Sequence, residues 1–422
     1  MQLRAQKLIF LVLLATAAPA AAESLQTTSA SDLAAVRQAL AQGDLGPAVA
    51  LDPALGIEAG YLRARALLAQ GKLQAAEQAL AALPAASSEA LEVAWYIAHT
   101  RGDSASIAAT AAAYCKAGDP TGRSCVDAEF YGGRILTPSV SLPGDVELPL
   151  SKSAPLPVTM GHVGAVSTGV LLDTGASQTV VSAALAQYLG LATTKASFPI
   201  GVAGGEGVTQ ARLAVLPALR LGDAVIETLP VLVVDLPQLD QVGVSVILSP
   251  QHALPGLAMQ LDLANYRMTL SEKAPAEQPG ETKVPYLTAG FDLVVPARVG
   301  DGPPALFAFD TGLEQAFVLS RAYEAAAKDA NEGTTGGRVL YGAGAAAQVE
   351  SVARRPVYLG EERVCESGGY LSDLPQSKVF PIAGMLGNDL WEHGMVVLDT
   401  QRRVFRVAHR PHQEAAPTPT AG

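Results

Sequence analysis

The segments LLDTGASQTVVS (171–182) and FAFDTGLEQAFVLS (307–320) each end an apolar strand in Asp-Thr-Gly and then open a second apolar strand. Asp173 and Asp310 hold the best claim to chemistry in this chain. Two carboxylates a few ångströms apart share one proton, so one can take a proton while the other donates. A single Asp-Thr-Gly is also ordinary turn chemistry, since Asp, Thr and Gly all suit turns. The choice between a surface hairpin and half of a site rests on how well the two copies correspond.

They correspond over a long stretch. Counted from each Asp, a strand-closing Ser lies 9 residues on at Ser182 and 10 at Ser320. An LG turn follows with Gly222 at 49 and Gly360 at 50, and a DLP at 62 (Asp235) and 63 (Asp373). The last apolar strands put Asp262 and Asp399 each 89 residues on. Chance does not give such a series, so the region from about 156 to 408 reads as a tandem duplication of short Val/Leu strands punctuated by Gly and Pro.

Both copies resemble the lobes of retropepsin-like and pepsin-like aspartic peptidases. They share the apolar strand, Asp-Thr-Gly, a second apolar strand ending in Ser, a Gly-rich flap (GVAGGEG, 201–207; YGAGAA, 341–346) and a late apolar pair followed by Gly in GMLGNDLWEHGMVVLD. The resemblance implies an endopeptidase that holds a water between the carboxylates of Asp173 and Asp310, one from each lobe. It further implies that Thr174 and Thr311 cross-link the two turns, that Gly175, Ser177 and Gly312 support the dyad, and that Gly204, Gly205, Tyr341, Gly342 and Gly344 lie on flaps over an extended peptide substrate. No cofactor and no metal are implied. The sequence departs from the family at Leu313-Glu314, where a hydroxyl residue is usual, and at Ser249, which stands in the place of the late Gly. The rival is a non-catalytic exported protein that holds peptides in the same cleft.

The elements that must position this dyad follow a different kind of segment. Residues 23–135 show helix-period apolar patterning, with Gly43, Gly71 and Gly102 each between two apolar helices at intervals of 28 and 31 residues. That pattern is similar to degenerate tetratricopeptide-type hairpins. It reads either as a docking surface for a protein partner or as a small helical domain packed on its neighbour. With 8 Lys/Arg against 12 Asp/Glu, it is unlike a basic inhibitory pro-segment. The fold expected is therefore multidomain α and β: an N-terminal α-helical repeat domain, then two tandem all-β acid-protease-type lobes related by a pseudo-twofold axis. The boundaries are a signal peptide at 1–22, the helical domain at 23–135, a Pro-rich linker at 136–155, a first lobe at 156–272, a linker at 273–283, a second lobe at 284–408 and a disordered tail at 409–422.

Composition narrows the setting. Arg4, Lys7, the run LIFLVLLATAA and the small residues APAAA read as an export signal, placing the protein in the periplasm or outside the cell. That run is shorter than the ~20 residues of a spanning helix, so no stable membrane insertion is expected after cleavage. Loss of the signal, which holds two cations and no acid, moves the formal charge from −11 to −13. Nucleic acid is excluded as a partner because phosphate binding needs a basic footprint. Of three cysteines, Cys115 and Cys125 are close enough to bridge in an oxidising compartment, which leaves Cys365 free. The six His, at 99, 162, 252, 393, 409 and 412, show no metal-ligand spacing.

Overall fold

The computed structural model describes residues 13–14, 30–202, 208–327, 335–341, 346–374, 379–391 and 394–408. Helices occupy 30–131: α1 (Ala30–Ala41), α2 (Gly46–Val49), α3 (Ile57–Ala69), α4 (Leu73–Leu80), α5 (Ser88–Arg101), α6 (Ser104–Ala117) and α7 (Arg123–Tyr131). Local chemistry sets their ends. Ser87 Oγ accepts from Ala90 N to start α5, Gly102 closes it in the left-handed region at φ +67°, and Asp103 then accepts from Ala105 N to start α6. Gly43 and Gly71 have φ of +82° and +74°, so the three recurring glycines all sit where the chain must leave a helix. Small residues bring the helices close. A Cβ on Gly60 of α3 would lie 2.6 Å from the Leu83 side chain, in the turn that follows α4. A disulfide joins Cys115 on α6 to Cys125 on α7.

Strands take over after residue 138. In the first half they are β1 (Val146–Pro149), β2 (Val158–Val163), β3 (Val166–Leu172), β4 (Val180–Ser182), β5 (Phe198–Val202), β6 (Val208–Leu221), β7 (Ala224–Val234), β8 (Val244–Leu248), β9 (Ala258–Asp262) and β10 (Arg267–Ser271). In the second half they are β11 (Glu281–Pro285), β12 (Asp292–Val299), β13 (Ala305–Phe309), β14 (Phe317–Ser320), β15 (Thr335–Tyr341), β16 (Ala346–Leu359), β17 (Glu362–Ser372), β18 (Gly384–Leu386), β19 (Met395–Asp399) and β20 (Val404–Ala408). The Pro-rich stretch 136–155 is more than a connection: it supplies the short strand Ser139–Ser141 and β1, and 281–283 likewise begins β11. Each adds to a sheet edge as its outermost strand, which satisfies the backbone groups on its inner side.

The two halves have the same topology. β3 runs parallel to β8, β8 is antiparallel to β4, and β4 is parallel to β7. In the second half β13 is parallel to β18, β18 is antiparallel to β14, and β14 is parallel to β17. Six strands join the halves in the order β11-β20-β19-β9-β10-β1, with the equivalent strands β9 and β19 antiparallel at the centre. Even strained turns recur. Tyr266 and Arg403, 93 residues beyond Asp173 and Asp310, both sit at positive φ, 53° and 56°. Ser182 and Ser320 are both buried and cap the short helices Ala183–Tyr188 and Arg321–Ala326.

One difference separates the late motifs. A Cβ on Gly387 would lie 2.2 Å from the Gln315 carbonyl oxygen and 2.6 Å from that of Leu313. At the corresponding place Ser249 fits, fully buried, its amide donating to Thr179 Oγ1 at 3.3 Å. Gly387→Ser is expected to destabilise the protein by about 3 kcal/mol through overpacking against rigid backbone, and Ser249→Gly by about 1 kcal/mol or less. Urea unfolding of both variants checks the contrast.

Candidate active site

Asp173 and Asp310 each follow the last residue of a central strand. The Asp173 amide donates to Leu248 O at 2.9 Å and the Asp310 amide to Leu386 O at 2.8 Å, so each turn is held to the neighbouring parallel strand. The tight turn then aims its own amides back at its carboxylate. Gly175 N and Ala176 N donate to Asp173 Oδ1 at 2.8 and 3.0 Å, and Gly312 N donates to Asp310 Oδ1 at 2.8 Å. Gly312 also lies against the opposite carboxyl, where a Cβ would stand 2.6 Å from Asp173 Cγ.

The two turns are locked together by their threonines. Thr174 Oγ1 donates to Phe309 O at 2.6 Å and accepts from Thr311 N at 3.1 Å. Thr311 Oγ1 donates to Leu172 O at 2.7 Å and accepts from Thr174 N at 3.0 Å. Each hydroxyl uses its donor and an acceptor across the pseudo-twofold, and all these groups are buried, so each hydrogen bond satisfies atoms that water does not reach. All four bonds lie within one chain.

Asp173 and Asp310 are 2% and 0% exposed. Burial raises the pKa of Asp173, while hydrogen bonds from Asp310 and from the Gly175, Ala176 and Gly312 amides pull it back down. Burial also raises Asp310, and there the charge of Asp173 and the hydrogen bond to it add to the rise, leaving Asp310 well above the ordinary carboxylate range. The rise is the larger at Asp310, so of the two it is the one favoured to keep a proton. Asp310 Oδ2 has no hydrogen-bond partner among the described residues.

Two supports outside the Asp-Thr-Gly motifs were not visible by residue type. Gln251 Nε2 donates to Thr174 O and Ala176 O at 3.0 and 2.8 Å. Asn388 Nδ2 donates to Thr311 O at 2.6 Å, and its Oδ1 accepts from Trp391 Nε1 at 2.9 Å. Gln251 and Asn388 each lie 78 residues beyond their aspartate, so the duplication carried a signal that matching by chemistry, amide to amide, would have found. Leu313 is fully buried in an apolar cluster and offers no hydroxyl to the turn, where Asp310 Oδ2 has no hydrogen-bond partner among the described residues. Ser177 is half-buried on the loop after the first turn. Tyr341 ends β15 opposite Ala346. Gly204, Gly205, Gly342 and Gly344, expected on the flaps, lie outside the described residues, as do His393, His409 and His412.

Residues 156–249 match the family model described as aspartyl protease. Among solved structures, the aspartic proteinase from Irpex lacteus aligns with 13% identity and a TM-score of 0.41, covering 64% of this chain and 99% of that one. No curated protein matches the chain.

The threonine lock gives a first prediction. Thr174→Val or Thr311→Val leaves a carbonyl and an amide unpaired in the interior and is expected to cost about 2–4 kcal/mol, with Ser in place of Thr restoring most of it. The double valine variant should cost less than the sum, because both residues serve one network; urea titration of the set measures this. A second concerns charge. A carboxyl whose folded pKa is raised contributes to stability at low pH and loses that contribution as pH rises through the folded value. Asp310→Asn, which cannot ionise, should match the parent near pH 3 and melt about 3 °C higher at pH 7. Calorimetry across that range checks the sign.

Proposed function

We propose that this chain is an aspartic endopeptidase and that Asp173 and Asp310 are its catalytic pair. The observation that carries the reading is the joining of two buried aspartates, one from each β half, by the reciprocal threonine bonds, with burial and mutual charge setting their protonation apart. Asp173, ionised, takes a proton from water as the oxygen attacks the scissile carbonyl carbon. Asp310, protonated, donates toward the carbonyl oxygen, and the C–N bond then breaks as the amine takes up a proton. Thr174, Gly175, Thr311 and Gly312 hold the pair; Ser177 belongs to the same loop. Gly204, Gly205, Tyr341, Gly342 and Gly344 are assigned to the two flaps. The substrate is a peptide or protein in extended form. Apolar side chains are favoured beside the cut bond, because Leu171, Val180, Ile247, Val318 and Met385 are the buried neighbours of the two turns.

We assign the chain to the exported proteins, with 1–22 as its signal. The Cys115–Cys125 disulfide supports an oxidising compartment, and no helix among the described residues is long and apolar enough to cross a membrane. Residues 23–135 are assigned as a repeat-like helical domain, supported by the recurring glycine-ended helices.

The test is cleavage of a mixed peptide library by the chain from Glu23, scanned from about pH 3 to 8. Activity should rise as Asp173 ionises, above the ordinary carboxylate range because its pKa is raised, and fall when Asp310 loses its proton. Asp173→Asn and Asp310→Asn should each lower kcat about 10³-fold or more. Unchanged cleavage in either variant would remove the dyad from the mechanism. No cleavage by the parent would leave a peptide-binding protein.

A further inference from the structure

The strand faces that flank the two Asp-Thr-Gly turns are covered by the helices. Side chains alternate along a strand, so Leu171 shares a face with Asp173 and Ala308 with Asp310, whereas Leu172 and Phe309 point into the core common to both halves. Leu171, Ala176, Val180 and Ile247 are buried in one cluster with Ile107 of α6 and Val126 of α7. Ala308, Leu313, Val318 and Met385 are buried in another with Leu40 of α1 and Leu62 of α3. An extended peptide laid across the dyad would need these same apolar surfaces.

A polar latch fixes the helices there. Arg123, at the start of α7, donates from Nη2 to Gln178 Oε1 at 2.6 Å, on the loop five residues beyond Asp173. Its guanidinium stands 4.4 Å over the ring of Phe198, which begins the β5–β6 hairpin, and 5.8 Å from the ring of Phe291 in the second half. Asp127 accepts from Arg123 Nε at 3.0 Å and Trp95 Nε1 at 3.0 Å and pairs with His99 Nε2 at 2.9 Å. Burial alone would raise Asp127, but Arg123 and then His99 outweigh it and hold the carboxyl below its usual range. Trp95, Tyr96 and His99 pack on Phe291 with ring centroids 5.1–5.4 Å apart. One buried cluster of α5 and α7 thus touches the first dyad loop, the adjacent hairpin and the second half.

We infer that the helical domain is an intramolecular gate: docked through this latch it excludes peptide from the dyad, and hydrolysis requires its reversible displacement. The inference rests on the peptidase reading for its readout in activity, though not for the closure itself. The closure uses apolar packing and the buried cations Arg123 and Arg65, the latter 5.9 Å over the ring of Phe380, so the acidic balance of 23–135 does not oppose it.

The test uses the full chain. Gly43→Cys with Pro296→Cys sets Cβ atoms 3.5 Å apart between the end of α1 and β12, within disulfide reach. Arg123→Ala removes the latch. The oxidised double-cysteine protein is expected to cut the peptide library at under a tenth of the rate of its own reduced form, with the parent under the same reductant as control, and Arg123→Ala to cut at least five times faster than the parent. Docking has an independent readout, because Glu129 of α7 accepts from the Lys195 and Ala196 amides at 2.7 and 3.2 Å. Hydrogen exchange at those amides should be fastest in Arg123→Ala and slowest in the oxidised form. Equal cleavage by oxidised and reduced protein, with no gain in Arg123→Ala, overturns the gate and makes the helices a fixed wall of the site. If no form cuts, the peptidase reading falls and exchange alone decides: the stated order sustains a gate over a peptide-binding cleft, and equal exchange in all forms removes it.

Discussion

The constraint on which this structure depends is that two carboxyl groups must be kept together where water scarcely reaches them. Separated, each would ionise and turn toward solvent; together and buried, they must divide one proton. What holds them is the four-bond lock between Thr174 and Thr311, in which each hydroxyl bridges to the backbone of the opposite turn. The lock in turn demands that two strands from distant parts of the chain end at one place. That requirement is met by the matching strand order of the two halves and by the sheet in which β9 and β19 pair at the pseudo-twofold.

The symmetry is kept in the backbone and relaxed in the side chains, and the relaxation gives the two aspartates different characters. Asp173 receives two amide hydrogen bonds at one oxygen and lies against Gly312, which favours its charged form. Asp310 sits beside that charge and is driven to keep the proton. The supports are matched in role and differ in chemistry. Gln251 reaches two carbonyls in the first half, while Asn388 reaches one in the second and is itself steadied by Trp391. Ser249 and Gly387 show the same economy of correspondence: the backbone crowds the second position and leaves room at the first.

The helical region belongs to the same mechanics. Its apolar residues complete the burial of both β halves on the dyad side, and Arg403 near the end of the chain donates to Ala69 O at the end of α3, at 2.7 Å. Helices and β halves are therefore coupled by packing as well as by the connecting chain. Motion of one relative to the other has to part these apolar surfaces and break the hydrogen bonds of Arg123 to Gln178 and of Arg403 to Ala69 O.

Much of the β region was legible because it is written twice: a motif repeated at fixed distance fixes correspondence, and Gly222, Gly360 and the capping serines Ser182 and Ser320 are local devices whose chemistry acts within a few residues. The glycines that end helices at 43, 71 and 102 were readable for the same reason. The tetratricopeptide-like character and the export signal stay at the level of pattern. Gln251 and Asn388 escaped notice because an amide side chain carries no mark of the carbonyl it will meet, and the latch at Arg123 escaped because Gln178, Phe198 and Phe291 lie on three separate segments far from α7 in sequence. The sequence by itself determined the pair of aspartates, the threonines beside them and the duplicated order of elements, since these are local or periodic properties. Only the tertiary structure decided that Asp310 is pushed further above the carboxylate range than Asp173 and which face the helices cover, because burial and the approach of distant charges are set by packing that no short stretch of chain contains.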